Sequence, residues 1–150
     1  QVMKGYWNKP AETAAVFTKD GFLRTGDVAR MDADGFFAIE DRVKDLIICS
    51  GYNVYPRQIE ERIYEIPEVE EVTVIGITDK YRGEAPKAFI KIKDGQQLTS
   101  EQVMAYLEKK LSKIELPAQI EFRASLPKTM IGKLSKKELK QEEAAKQAKA

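Results

Sequence analysis

Hydrophobic positions along the chain change their spacing near residue 41. Over the first forty residues they come in short extended pieces around polar turns. Lys19-Asp20-Gly21 and Asp32-Ala33-Asp34-Gly35 punctuate Phe22-Leu23 and Phe36-Phe37-Ala38-Ile39, which predicts a hairpin from residues 24–31 and 35–40. After Asp41, strand-like and helix-like spacings alternate. Leu46-Ile47-Ile48-Cys49 reads as a short apolar strand. Pro56 suits a first helical turn, and Ile59, Ile63 and Ile66 form one stripe that Pro67 ends. Strands are expected at 72–77 and 88–93; in the second, Ala88, Ile90 and Ile92 point one way and the lysines the other. Thr99 and Gln102 make a capping box ahead of a helical stripe of Val103, Leu107 and Leu111. A last short strand at 120–123, a basic loop and a Lys-rich helix finish the chain. The expected class is α+β, a small mixed sheet with helices on one face, preceded by a β-hairpin segment.

A forty-residue hairpin segment cannot bury enough surface to stand alone, whereas residues 41–139 can. The expected division is therefore 1–40, belonging to a larger upstream body, 41–139 as a domain, and 140–150 as a Lys/Ala-rich tail. That tail is of low complexity and is expected to extend a solvated helix or fray, without chemistry. A chain opening on Gln1 reads either as a processed mature protein or as a piece of a longer one.

Composition narrows the function. With 150 residues, 43% hydrophobic and 33% charged, the chain is soluble and globular in type. Lys plus Arg number 25 against 24 Asp plus Glu, a balance that argues against a dedicated nucleic-acid binder. The chain has no histidine, which excludes Ser-His-Asp triads, imidazole proton shuttles and His-ligated zinc. Its single cysteine, Cys49, sits in an apolar run; an internal disulfide is impossible, and a reducing, cytoplasmic setting is expected. No run approaches the ~20 apolar residues that cross a bilayer, so at most peripheral membrane association is expected. Charge is also uneven: from Lys128 onward seven lysines face three glutamates, giving +4 there and −3 upstream.

Three segments are too polar and glycine-punctuated to read simply as connectors. In Arg24-Thr25-Gly26-Asp27 a glycine brings a carboxylate to the start of a strand. Such a carboxylate either satisfies its own turn or accepts both hydroxyls of a vicinal diol such as ribose. In Asp41-Arg42-Val43-Lys44-Asp45 and the following Ser50-Gly51-Tyr52-Asn53-Val54-Tyr55-Pro56, Arg42 could reach ribose or phosphate, and Gly51 permits close backbone approach. The alternative is a charged linker, a strand and a loop. In Leu126-Pro127-Lys128-Thr129-Met130-Ile131-Gly132-Lys133-Leu134, a loop presents Lys133 as a mobile point charge for phosphate or a developing anion, or simply as a solvated lysine. This is not a P-loop, since Leu134 stands where Ser or Thr is required, and no Gly-x-Gly-x-x-Gly occurs. Asp32-x-Asp34-Gly35 is read as a turn, because a calcium loop needs a later glycine and a closing glutamate.

Taken in order, Thr-Gly-Asp, Asp-Arg-x-Lys-Asp, Ser-Gly-Tyr-Asn and Pro-Lys-Thr-x-x-Gly-Lys resemble the adenylate-forming superfamily of acyl-CoA synthetases, peptide-synthetase adenylation domains and luciferases. The opening Gly5-Tyr6-Trp7-Asn8-Lys9-Pro10-Ala11-Glu12-Thr13 is similar to the family segment before the Thr-Gly-Asp hairpin. The resemblance runs from about Val2 to Leu139, and segments 41–48 and 50–56 look most like long-chain fatty acyl-CoA ligases.

The resemblance implies a large N-terminal domain ending in residues 1–40 and a mobile C-terminal lid over 41–139. It implies adenylation of a fatty acid by Mg-ATP, then thioester formation with CoA and release of AMP. By the same resemblance Asp27 and Arg42 bind the nucleotide, Lys44 is the hinge, and Lys133 bridges substrate carboxylate and α-phosphate. Ser50 and Gly51 then line the CoA path, with Arg82 a candidate CoA phosphate contact. The Mg2+ ligands, the phosphate loop and the acyl channel would lie upstream, so the isolated chain is expected to be inactive. Gln58 stands where the family helix has Glu, and residues 114–118 are less basic than in many relatives, which weighs against CoA contacts there. Rival readings are an aryl- or short-chain-acid ligase, a peptide-synthetase adenylation domain, a non-enzymatic phosphate- or RNA-binding α+β module, and a lid fragment without a ligand of its own.

Overall fold

The computed structural model describes residues 1–147, which form two compact units divided between Lys44 and Asp45. Unit 1 opens with a short helix α1 (Pro10–Val16), with Pro10 at its start, where a missing N–H costs nothing. From sequence alone this region reads as extended. Strands β1 (Asp27–Met31) and β2 (Phe37–Arg42) follow as an antiparallel hairpin in which Met31 faces Phe37 and Asp27 faces Arg42. A register shift between Val28 and Ala29 places a bulge near its open end. The turn is held by Asp32, whose carboxylate accepts the N–H groups of Asp34 and Phe36, the Asx chemistry expected of a turn rather than a metal loop. A 3-10 turn (Val43–Asp45) ends the segment.

Unit 2 is a five-stranded mixed sheet. Strands β3 (Ile47–Cys49), β4 (Tyr52–Val54), β5 (Val69–Asp79) and β6 (Gly83–Ile92) pair antiparallel in the order β4-β3-β6-β5, and β7 (Gln119–Phe122) joins β6 in parallel. Residues 52–54, read from sequence as loop, are a strand because the tight turn before them folds them back on β3. β5 and β6 outrun the expected 72–77 and 88–93, pairing from Val69↔Ile92 to Asp79↔Gly83. Helix α2 (Pro56–Tyr64) and helix α3 (Ser100–Leu107), the latter with its Thr99–Gln102 capping box formed, turn their apolar stripes to one face of the sheet. There Ile59, Ile63, Val103 and Leu107 pack with Val72, Val74, Ala88 and Ile90 in the larger core.

The other face was expected to carry lysines toward solvent. Instead Ile75, Ile77 and Phe89 form a second core with Leu126 and with Leu139 of helix α4 (Lys136–Gln147). Lys87, just ahead of Phe89, is 4% exposed. Its ammonium lies 2.8 Å from Glu121 and 2.9 Å from Glu143, and 4.9 Å from the Phe89 ring centroid. Residues 140–147, expected as a solvated or frayed tail, are thus part of a helix whose Glu143 is buried; residues 148–150 of that tail lie outside the described chain. Edge strand β5 is closed by α2, since the Tyr64 hydroxyl accepts from Val72 N–H and Glu60 accepts from Val74 N–H.

Candidate functional site

The residues singled out from sequence fall into four places. In unit 1, Asp27 and Arg42 oppose each other across the open end of the hairpin, and Arg42 Nε lies 2.7 Å from Asp27 Oδ1. Gly26, at positive φ, lets its carbonyl accept from Val43 N–H at 2.9 Å. The two groups read as separate nucleotide contacts are therefore an ion pair. The Asp27 carboxylate is held by one oxygen and keeps acceptor capacity for a diol.

Lys44 sits in the 3-10 turn at the last position of unit 1. The next residue, Asp45, is tied into unit 2 by Lys140 Nζ at 3.1 Å. This anchor was not legible in sequence, because its partner lies 95 positions away on α4.

In unit 2, Ser50 and Gly51 join β3 to β4 with φ values of 53° and 81°, and Cys49 faces Tyr52 directly. Two consecutive positive φ values in a two-residue loop make the turn that suits the right-handed twist of a hairpin. Gly51 fits there, and Ser50 carries the strain of a non-glycine residue. Ser50 N–H donates to the Arg82 carbonyl at 2.7 Å, and Cys49 faces Gly83. The fold thus places Ser50 and Gly51 beside the β5–β6 turn that carries Arg82. That turn is braced by Asp79, whose carboxylate accepts the N–H groups of Arg82 and Tyr81 at 2.9 Å each. These two bonds hold the Asp79 carboxyl below the usual carboxylate range. Sequence reasoning passed over Asp79, although an Asp two to three residues before the turn amides is the signal of an Asx turn. Tyr81 at its tip is 98% exposed.

Lys133 closes a loop pinched by a bridge between Lys128 and Leu134. Thr129 N–H donates to the Lys133 carbonyl at 2.7 Å, and Gly132 N–H to the Thr129 carbonyl at 2.8 Å. Thr129 Oγ1 accepts from Lys133 N–H at 3.2 Å. Gly132, at φ 80°, supplies the reversal that this closure needs. Met130 and Ile131 are exposed at the tip. No carboxylate among the described residues pairs with the Lys133 ammonium. A loop offering a cation without a carboxylate partner among the described residues can stabilise negative charge on a ligand.

The Lys133 loop and the Ser50–Arg82 cluster are tied to opposite ends of β5. The Lys133 loop is tied at its base by Lys128 to Glu71, near the start of β5, at 2.5 Å. The Ser50 turn is tied to the segment after Asp79, at the end of β5. Along an antiparallel strand those two points are about 25 Å apart. Among the described residues no three His, Cys, Asp or Glu side chains converge to hold a metal, and no helix is long and apolar enough to cross a membrane.

Residues 58–133 match the family described as AMP-binding enzyme C-terminal domain. Over 143 residues the chain is 50% identical to the long-chain-fatty-acid–CoA ligase of Bacillus subtilis, covering 95% of this chain and 25% of that protein. It is 42% identical to a feruloyl-CoA synthase of an Amycolatopsis species, over 93% of this chain and 28% of that protein. The crystal structure of ATP-bound MatB from Rhodopseudomonas palustris superposes with a TM-score of 0.88 at 37% identity, over 94% of this chain and 28% of the other. The chain therefore spans about a quarter of the length of the relatives that it matches.

Proposed function

This chain belongs to the AMP-binding enzyme C-terminal domain family, and on that premise we propose that it is the mobile C-terminal part of an ATP-dependent long-chain fatty acid–CoA ligase. In the first step a fatty carboxylate oxygen attacks the α-phosphorus of ATP and the bond to pyrophosphate breaks, leaving acyl-AMP. In the second, the CoA sulfur, having given up its proton, attacks the acyl carbonyl carbon. The bond to AMP then breaks. Lys133 sits between the two anions of the first step, where one ammonium offsets their repulsion. Asp27 accepts the ribose hydroxyls, and Arg42 orients Asp27 and reaches ribose or phosphate. Ser50 and Gly51 line the approach of the CoA thiol arm, and Arg82 beside them meets a CoA phosphate. Mg2+ accompanies ATP and neutralises its phosphates, held by groups outside this chain. The rest of the protein supplies the acyl channel and phosphate loop, so the isolated chain does not turn over. The setting is cytoplasmic, and the chain has no role with nucleic acid.

One observation carries this reading. The loop of Lys133 and the Ser50–Gly51–Arg82 cluster are tied to opposite ends of β5 within one compact unit. A single reaction centre can meet them only in turn, which matches a two-step reaction with Lys44 as the swivel. The long-chain acid follows the 50% identical ligase. The 42% identical feruloyl-CoA synthase keeps an aryl acid as the second reading. ATP–pyrophosphate exchange by the complete protein decides between them, run with long-chain and aromatic acids beside Lys133→Ala. Exchange stimulated by long-chain acids should fall by about 100-fold or more in the variant. Exchange that survives the substitution would remove Lys133 from the first step, and stimulation by aromatic acids alone would select the aryl reading.

A further inference from the structure

The loop that carries Lys133 is fastened at both ends by ion pairs to glutamates that the reaction itself does not use. Ahead of it, Lys128 Nζ lies 2.5 Å from Glu71 Oε1 on β5. Beyond it, Lys136 Nζ lies 2.8 Å from Glu60 Oε1 on α2. Both glutamates are recessed, with side chains 18% and 16% exposed. The same Glu60 oxygen accepts the Val74 N–H on the outer edge of β5. Both fastenings thus meet one edge strand. Apolar anchors accompany them: Leu126, just ahead of Lys128, is buried in the second core, and Leu134, between the two fastenings, packs against it. Those anchors set how deep the loop is seated. Two side chains on one face still leave a hairpin able to rock, and the ion pairs to β5 and α2 fix its direction.

We infer that the Lys128–Glu71 and Lys136–Glu60 pairs are positioning elements for Lys133. They hold the loop against β5 and α2, so that the ammonium keeps one place on unit 2 when it meets the reacting anions. This rests on the assignment of Lys133 to the adenylation step. Solvent reaches both pairs, which limits what they add to global stability, so their consequence should appear in the geometry of one step. A cation displaced by about 1 Å from its working position loses between tenfold and a hundredfold in rate. The Ser50–Gly51–Arg82 cluster, at the far end of β5, should not register the change.

The test uses the complete protein with Lys128→Glu, Glu71→Lys, the Lys128→Glu/Glu71→Lys exchange, and Lys136→Met. Two reactions are read: ATP–pyrophosphate exchange, and thioester formation from supplied acyl-adenylate and CoA. Each reversal should lower pyrophosphate exchange by about tenfold. Thioester formation should stay within about twofold, because distant sites act independently. The double exchange should recover most of the lost rate, since it restores the attraction in the opposite sense. Lys136→Met should repeat the selective loss, and Lys128→Gln gives the same comparison if a reversal unfolds the unit. Failure of the double exchange to recover, or an equal fall in both reactions at unchanged melting temperature, would overturn the positioning role. Lys133→Ala runs alongside. Exchange surviving in that variant overturns the assignment beneath; exchange lost there but indifferent to the Lys128, Glu71 and Lys136 variants overturns only the positioning role.

Discussion

Residues 1–44 and the unit from Asp45 onward use apolar side chains in opposite ways. Every buried hydrophobic residue among those described lies in unit 2. In unit 1 Trp7, Phe22, Met31, Phe36, Phe37 and Ile39 are exposed, and the buried residue is a carboxylate, Asp41. The hairpin is nevertheless well patterned. Ala29 and Met31 of β1 pair with Ile39 and Phe37 of β2 on one apolar face, while Arg30 and Glu40 form an ion pair at 3.1 Å on the other. Such alternation belongs to a sheet with one face turned to a core. In unit 2 the core is supplied within the unit on both faces of its sheet. The lesson is that strand patterning and core burial are separable: unit 1 has the first, unit 2 has both. Under the proposed function, the apolar face of the hairpin would be covered by the large domain that the relatives possess.

Three measurements sharpen or break this contrast. The largest effect is expected at Phe89, fully buried on the second face of the sheet, with the Lys87 and Arg123 cations 4.9 and 4.7 Å from its ring centroid. Phe89→Ala should destabilise unit 2 by about 3–5 kcal/mol in a denaturant titration followed by far-UV circular dichroism. A loss below about 1 kcal/mol would mean that the second core contributes little.

A smaller, graded effect is expected in acid. Burial raises the Glu121 carboxyl, but hydrogen bonds and charge from Lys87 and Arg123 outweigh it and hold the group at about 2, against an ordinary 4.5. Glu143 is likewise lowered, burial being outweighed by Lys146 and Lys87. A lowered folded-state value stabilises above the unfolded value and is lost as pH falls through the folded one. The melting temperature of unit 2 should therefore hold from pH 7 to about 5 and drop between about 4.5 and 2.

The smallest effect is expected at Phe37. Its exposed ring in β2 gives Phe37→Ser a change within about 0.5 kcal/mol in the described chain. In the complete protein the same substitution should cost considerably more, by loss of a covered apolar side chain. Equal effects in both would mean that nothing covers the hairpin.

Much of unit 2 was legible because its local signals agree. Pro56 with Ile59 and Ile63 specified α2, and Thr99 with Gln102 specified the start of α3 through a cap completed within four residues. The loop of Lys133 was also legible, since Gly132 and Thr129 encode its closure locally. Helix α1 was missed because seven residues with only a proline start give too short a period to detect. Strand β4 was missed because its three residues have no pattern apart from the turn that folds them against β3. The burial of Lys87 ran against its residue type, and no local signal marks a lysine whose partners are Glu121 and Glu143.

The sequence by itself determined most elements of the sheet, the turn chemistry at Asp32 and Gly132, and the residue types that the proposed function assigns to a nucleotide and a thioester. These depend on backbone preferences and side-chain periodicity within a few residues. Only the tertiary structure decided that Asp27 and Arg42 neutralise each other across the hairpin and that Arg82 neighbours Ser50. It also decided that α4 seals the second face and that the loop of Lys133 is tied to the far end of β5 from the Ser50 turn. Those are pairings between distant positions, set by strand register and by which face of the sheet is left for a helix to cover, and no local pattern encodes them.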